Sequence, residues 1–423
     1  MKYPIGLQSF ENIRRSKFLY IDKTDMVYQL VMQGGCHFLM RPRRFGKSLL
    51  VSTLEAYFSG KKELFAGLAI DSLEKEWASY PVLHLDFNPE DYSRKGALEL
   101  RLTLAITQWE SIYGRYELEK TLSQRFEGVI ERAYKKTGKQ VVILVDEYDK
   151  PLLQAIGNNE LQADYRGLLK SVYGALKSQD RYIRFALLTG VTKFGKVSVF
   201  SDLNNLQDLS MDEEYQALCG VTQDELETIF AEPIKQLATK YKLSVEEALC
   251  RLKERYDGYH FVENGIGIYN PFSLLNTFKR LQFGSYWFET GTPTYLVELL
   301  KQDNYRLPNL TKEVSTADVL NCIDTASNNP IPVLYQSGYL TIKSFDEEFG
   351  EYRLGFPNKE VSCYLITLVC AIQRRLFQWA SSCGTFVRDV QKTSCNAWQH
   401  SLQILTIRLW GTRNYTSKTL SIL

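Results

Sequence analysis

Gly46-Lys47-Ser48 closes a basic turn and opens an apolar run. These residue types suit the holding of a phosphate. A helix N-terminus offers unpaired N–H groups and the positive end of the helix dipole. A glycine there lets the backbone approach the anion. A lysine reaches the β- and γ-phosphates, and a serine hydroxyl ligates Mg²⁺. Arg43, Arg44, Phe45 and Leu49 flank the three residues and complete the expected nucleotide-binding loop. The short motif is ambiguous by itself, because a basic turn capping a helix has the same letters. The full phosphate-loop pattern also has a glycine five residues earlier, where this chain has Arg41.

A second group of residues raises the stakes. Val141-Val142-Ile143-Leu144-Val145 is continuously apolar and mostly β-branched, and it ends in Asp146-Glu147. Such a run predicts a strand buried on both faces, as in a parallel sheet. At the C-terminal edge of that sheet Asp146 would share a Mg²⁺ with Ser48. Glu147 would polarise a water for attack on the γ-phosphate. Acids that merely end a strand at the surface are the rival reading. A third polar residue, Thr189, follows the apolar strand 184–188. It is placed at a strand tip where it could sense the γ-phosphate or the attacking water; a threonine that only caps a strand end is the alternative.

These side chains need elements to bring them together. A strand over 36–40 delivers the phosphate loop, and a helix from Lys47 to about Tyr57 follows, ended by Gly60. Residues 81–87 alternate like a neighbouring strand. Residues 94–136 read as helix, broken near Tyr113-Gly114, and 161–177 as one amphipathic helix. Before the loop, 18–24 reads as extended and 25–30 as a helix capped by Thr24 or Asp25. This arm either packs beside an adenine or serves only for packing.

From about Met211 the pattern turns helical, opening at the capping box Thr222 to Glu225. An aromatic turn covers 256–261, and Pro271 suits the first turn of another helix. A helix over 332–339 and a hairpin over 340–356, turning at 346–350, follow. Helices and a hairpin in this order predict a winged-helix-like region that binds DNA or covers the nucleotide.

Composition excludes several classes. The chain has 423 residues with 44% hydrophobic and 24% charged, a net charge of +2, and no apolar run long enough to span a membrane. The net charge does not call for nucleic acid. Eight cysteines without paired spacing and four scattered histidines argue against a disulfide framework or a zinc site. The start, Met1 to Gly6, has no signal-peptide core, so the expected setting is cytoplasmic.

Seven ordered segments together resemble the bacterial AAA-ATPase-like proteins, and the resemblance spans roughly residues 1 to 361. They are Tyr20-Ile21-Asp22-Lys23-Thr24, the loop Arg41 to Ser48, Asp146-Glu147-Tyr148-Asp149-Lys150-Pro151, and Thr189-Gly190-Val191-Thr192-Lys193-Phe194. Further along come Tyr256 to Phe261, Tyr269 to Ser273, and Phe356 to Val361. In that family the loop similarly has Arg-Pro-Arg-Arg-Phe in place of a glycine-rich start. The resemblance implies an AAA-ATPase-like domain, commonly followed by a PD-(D/E)xK nuclease.

The end of the chain departs from that pattern. Residues 362–423 carry seven basic residues against one acid, Asp389, and no Glu-x-Lys. A nuclease would need an acid and a Glu-x-Lys to hold its metal. Four cysteines and three of the six tryptophans crowd into this stretch. The shift predicts a frameshifted remnant without a nuclease; a basic nucleic-acid-binding tail is the rival.

The expected fold is therefore an α/β P-loop NTPase core with a parallel sheet of AAA/ASCE type over 1–210. A mostly helical, winged-helix-like domain over 211–361 and an aberrant basic tail over 362–423 complete it. The expected chemistry is Mg²⁺-dependent ATP hydrolysis by Lys47, Ser48, Asp146, Glu147 and Thr189. A nucleotide-dependent switch or scaffold with little turnover, and a nucleic-acid-binding module, stand as alternatives. DNA, RNA and a second copy of the chain remain open as partners, with Arg181 or Arg184 the guess for an arginine finger.

Overall fold

A computed structural model describes residues 1–194, 199–200, 203, 205–290, 314–320 and 329–365. The described residues all fall in one compact unit, Met1–Ile366. The tail expectation falls on residues that, from 366 onward, lie outside the described ones.

The first part of this unit is an α/β layer structure. Its elements are α1 (Phe10–Arg15), α2 (Thr24–Gln33), β1 (Gly35–Met40), α3 (Lys47–Phe58), α4 (Ala69–Leu73), β2 (Val82–Asp86), α5 (Ala97–Tyr113), α6 (Leu122–Thr137), β3 (Val141–Asp146), α7 (Lys150–Gln154), α8 (Asn159–Tyr173), α9 (Ala175–Ser178), β4 (Ile183–Gly190) and β5 (Leu206–Asp208). The five strands are all parallel, in the order β2-β3-β4-β1-β5. Helices cover both faces of such a sheet, so its central strands bury both rows of side chains. Every residue of β3 is buried, as are all but the first of β1. This explains why β3 reads as an apolar run up to Asp146, and β1 as one interrupted only by His37, whose ring nitrogen bonds the Gly34 carbonyl.

Strand β4 lies between β1 and β3, with Met40 opposite Gly190 and Val145 opposite Leu188. The tips of the loop strand and the acid strand are therefore separated by one strand that ends in Thr189-Gly190. The ladder continues past the strand ends, where the Tyr148 N–H donates to the Thr189 carbonyl (2.9 Å) and the Arg41 N–H to the Gly190 carbonyl (3.2 Å).

The second part is built from α10 (Gln223–Ile229), α11 (Ala231–Tyr241), α12 (Val245–Tyr256) and α13 (Pro271–Arg280), then short helices Ala317–Leu320 and Ile331–Gln336. A hairpin of β7 (Thr341–Asp346) and β8 (Glu351–Gly355) follows, with β6 (Val314–Thr316) antiparallel on its β8 side. The capping box at Thr222 and Glu225 is present, and Pro271 takes the first helical position behind the Asn270 cap. Val221, Phe230, Leu237, Leu252, Tyr256 and Phe278 anchor the core of this part. Tyr3, Leu19 and Ile21 from the N-terminal arm pack against it.

Local details differ from the sequence expectation. Neither Thr24 nor Asp25 caps α2; Lys23 holds that position, and the Asp22 carboxylate accepts from the Thr24 N–H (2.9 Å) and hydroxyl (2.6 Å). A short polar side chain one residue earlier reaches the same free N–H groups. The helix expected over 161–177 is two pieces, α8 and α9, meeting at Gly174.

Candidate functional site

Gly46 sits at the N-cap of α3 with φ +100°, a region that strongly favours glycine, and a side chain's worth of space there is open. The Leu50 N–H donates to its carbonyl (2.9 Å), closing the first helical turn. The first amides of α3 face the loop, as an anion site requires.

The Lys47 side chain is buried, and its ammonium donates to the carbonyls of Arg41 (3.0 Å) and Pro42 (3.3 Å). It lies 3.7 Å from the Glu147 carboxylate. The Ser48 hydroxyl lies beside the Asp146 carboxylate and lowers its pKa. Thr189, fully buried, donates its hydroxyl to Asp146 Oδ1 at 2.6 Å. Burial pushes the Asp146 carboxyl up from its ordinary pKa, while the Ser48 and Thr189 hydroxyls pull it back. The three strand tips thus bring Lys47, Ser48, Asp146, Glu147 and Thr189 into one cluster. Thr189 enters it through Asp146.

Glu147 has φ +56°, a left-handed backbone in a non-glycine residue. That conformation costs about 1–2 kcal/mol and gathers at functional sites. Here it turns the chain sharply after β3, so Asp146 and Glu147 face the same edge.

The remaining loop residues divide. Arg44 is exposed and Arg43 partly so, whereas Phe45 is buried edge-on against Tyr259 (4.8 Å) and Phe261 (5.7 Å). Leu49 lines a cavity of ≈ 110 Å³ beside Gly46, together with Tyr20, Ile21, Phe45 and Thr53. The arm before the loop therefore both packs on the helical part and borders this cavity. Arg181 and Arg184 lie at the start of β4, the opposite sheet edge from Thr189, with Arg184 donating to the Val31 carbonyl (3.3 Å).

Two site residues escape a reading of the sequence. Arg41, in the place of the pattern's first glycine, is fully buried and has no carboxylate partner among its hydrogen bonds. Its guanidinium donates to the carbonyls of Met40 (2.9 Å), Ser210 (2.8 Å) and Tyr215 (3.1 Å), and stacks on Phe261 at 4.1 Å. Asp149 has the position of a helix cap but caps nothing. One of its oxygens accepts from the Val191 N–H (3.0 Å), the Thr192 N–H (2.6 Å) and the Thr192 hydroxyl (2.6 Å). Its other oxygen is buried without a hydrogen-bond partner. Burial, then the nearby Glu147 charge, raise its pKa to about 6. A Cβ at Gly190 would lie 2.7 Å from that oxygen, so only glycine fits there. An acid just before Lys-Pro signals a cap in sequence; its true partners lie more than forty residues away.

Ser48 and Asp146 supply two neighbouring oxygen ligands. That donor set fits a small, hard divalent cation, which takes few protein ligands and fills the rest of its shell with phosphate and water oxygens.

A parallel sheet in this strand order, with a Gly-Lys-Ser helix start at one tip and paired acids two strands away, defines a P-loop NTPase core followed by a largely helical region. The family model described as "Predicted AAA-ATPase" matches residues 4–200. An uncharacterised protein from the vnfD 5′ region of Azotobacter chroococcum mcd 1 is 38% identical over 368 residues, 86% of this chain and 69% of that protein. The chain belongs to the predicted AAA-ATPase family. Aeropyrum pernix ORC2 in its ADPNP–ADP complexes aligns at TM-score 0.28 and 11% identity, over 83% of this chain and 92% of that one. A. pernix ORC1 in complex with DNA aligns at TM-score 0.28 and 10% identity, over 84% and 95%. Likeness at that level decides nothing about the site. Among the described residues, no helix is long and apolar enough to cross a membrane.

Proposed function

We propose that the protein binds ATP with Mg²⁺ at the α3 N-terminus and hydrolyses it. The observation that carries this is the meeting of Lys47, Ser48, Asp146, Glu147 and Thr189 at one sheet edge, with Lys47 Nζ 3.7 Å from Glu147. The α3 amides and Lys47 would bind the β- and γ-phosphates, Lys47 leaving two neutral carbonyls for a far stronger charged partner. Ser48 and Asp146 would hold Mg²⁺, which when bound neutralises charge on the phosphates. Thr189 keeps the Asp146 carboxylate aimed. Glu147 would orient the attacking water and take its proton. The cavity beside Gly46, lined mainly by apolar side chains, suits the base.

The nucleic-acid alternative draws no support from the hairpin. Its tip carries Asp346, Glu347, Glu348 and Glu351, which would repel a phosphate backbone.

Purified protein should bind ATP and release phosphate. Lys47→Ala should lose binding. Glu147→Gln should keep binding while turnover falls by about 10²- to 10⁴-fold. Unchanged binding and turnover in Lys47→Ala would remove the proposal. Turnover indifferent to Glu147→Gln would favour the holding switch.

A further inference from the structure

The phosphate loop has no glycine between Arg41 and Phe45, so its shape must be set from outside. Arg44 adopts φ +69°, a left-handed conformation that L side chains disfavour. A residue in that conformation lets successive N–H groups converge on an anion. A glycine-rich loop reaches it freely; this one needs support.

The support comes from the region after residue 256. The Trp287 indole N–H donates to the Arg43 carbonyl (3.1 Å). In a trans peptide C=O and N–H point in opposite directions, so the Arg44 N–H is turned away from Trp287. The Arg44 guanidinium lies over Phe272 at 5.0 Å. Trp287 is itself fixed: its backbone N–H (3.1 Å) and that of Tyr286 (2.6 Å) donate to one oxygen of Glu360. The Ser273 hydroxyl donates to the other (2.8 Å). Glu360 is buried, and these donors compensate its charge.

We propose that Trp287 and Glu360 are positioning residues for nucleotide binding, holding the glycine-poor loop in its anion-accepting shape from the second part of the molecule. The inference rests on the nucleotide reading above. It makes occupancy of the loop and placement of the 286–287 and 358–361 segments one linked equilibrium.

The test uses the full chain and a fluorescent ATP analogue with Mg²⁺, alongside thermal unfolding. Trp287→Phe keeps an aromatic ring and removes the donor. It should weaken binding about tenfold, the equivalent of one lost hydrogen bond. In turnover the loss should fall on KM and leave kcat within about twofold, since no reacting group is touched. Glu360→Gln, which turns an amide donor toward groups that are already donors, should weaken binding several-fold. It also keeps the test alive if the tryptophan variant fails to fold. Leu252→Ala is the control, a buried residue of the helical core with no contact to the loop's hydrogen bonds. It should lower the melting temperature at least as much yet leave affinity within about twofold. Wild-type affinity in both clamp variants overturns the inference, as does an equal loss in Leu252→Ala. A wild type that binds no nucleotide sinks the nucleotide reading and this inference with it. Binding by wild type and by both clamp variants alike sinks the clamp only.

Discussion

Asp149→Asn separates charge from hydrogen bonding at the most deeply buried carboxylate beside the site. Burial and the Glu147 charge hold the Asp149 proton up to about pH 6, against 3.8 for an ordinary aspartate. Between those values the folded protein binds more protons than the unfolded chain, so its stability falls as pH rises. A shift of about two units corresponds to roughly 3 kcal/mol, fully lost above about pH 6. About 2 kcal/mol of that loss falls between pH 4.5 and 7. Asparagine is neutral throughout and keeps an acceptor for the Val191 and Thr192 donors. Whatever the amide itself adds or removes is common to both pH values. The stability of Asp149→Asn relative to wild type should therefore rise by about 2 kcal/mol between pH 4.5 and pH 7. Urea unfolding followed by tryptophan fluorescence at a series of pH values measures this difference. A difference that stays constant, or that falls with pH, would refute a desolvated Asp149.

Arg41→Gly restores the glycine of the usual loop pattern, yet it should destabilise the protein by about 3–5 kcal/mol in urea melts. It removes the guanidinium that donates to three carbonyls, of which Tyr215's keeps only the Leu218 N–H, and leaves a void against Phe261. A neutral result would mean Arg41 has no structural role. Thr189→Val removes the hydroxyl on Asp146 at nearly constant volume. The Mg²⁺ concentration for half-maximal ATP turnover should rise several-fold, with stability lower by about 1 kcal/mol; an unchanged Mg²⁺ titration would detach Thr189 from the metal site.

The strands that carry the site were legible because they are central. Residues buried on both faces are mostly apolar, and the segments leading into Gly46, Asp146 and Thr189 show it. Strand β5 was not legible, since Leu206–Asp208 has one apolar residue and exists through its pairing with β1. The helical part was readable through its caps, whose side-chain partners lie three residues away. The Asp149 and Glu360 contacts were not, because each joins segments separated by forty residues or more.

The sequence by itself determined the two halves of the candidate site, Gly46-Lys47-Ser48 and Asp146-Glu147, because each is a local pattern of strand, turn and functional group. Only the tertiary structure decided what surrounds them. It made Arg41 a buried brace between carbonyls, made Asp149 an anchor for the β4 exit, and set Trp287 and Glu360 behind the phosphate loop. The reason is that hydrogen-bond satisfaction in a buried region is settled among all the segments that meet there, and a one-dimensional pattern records only those that are neighbours in the chain.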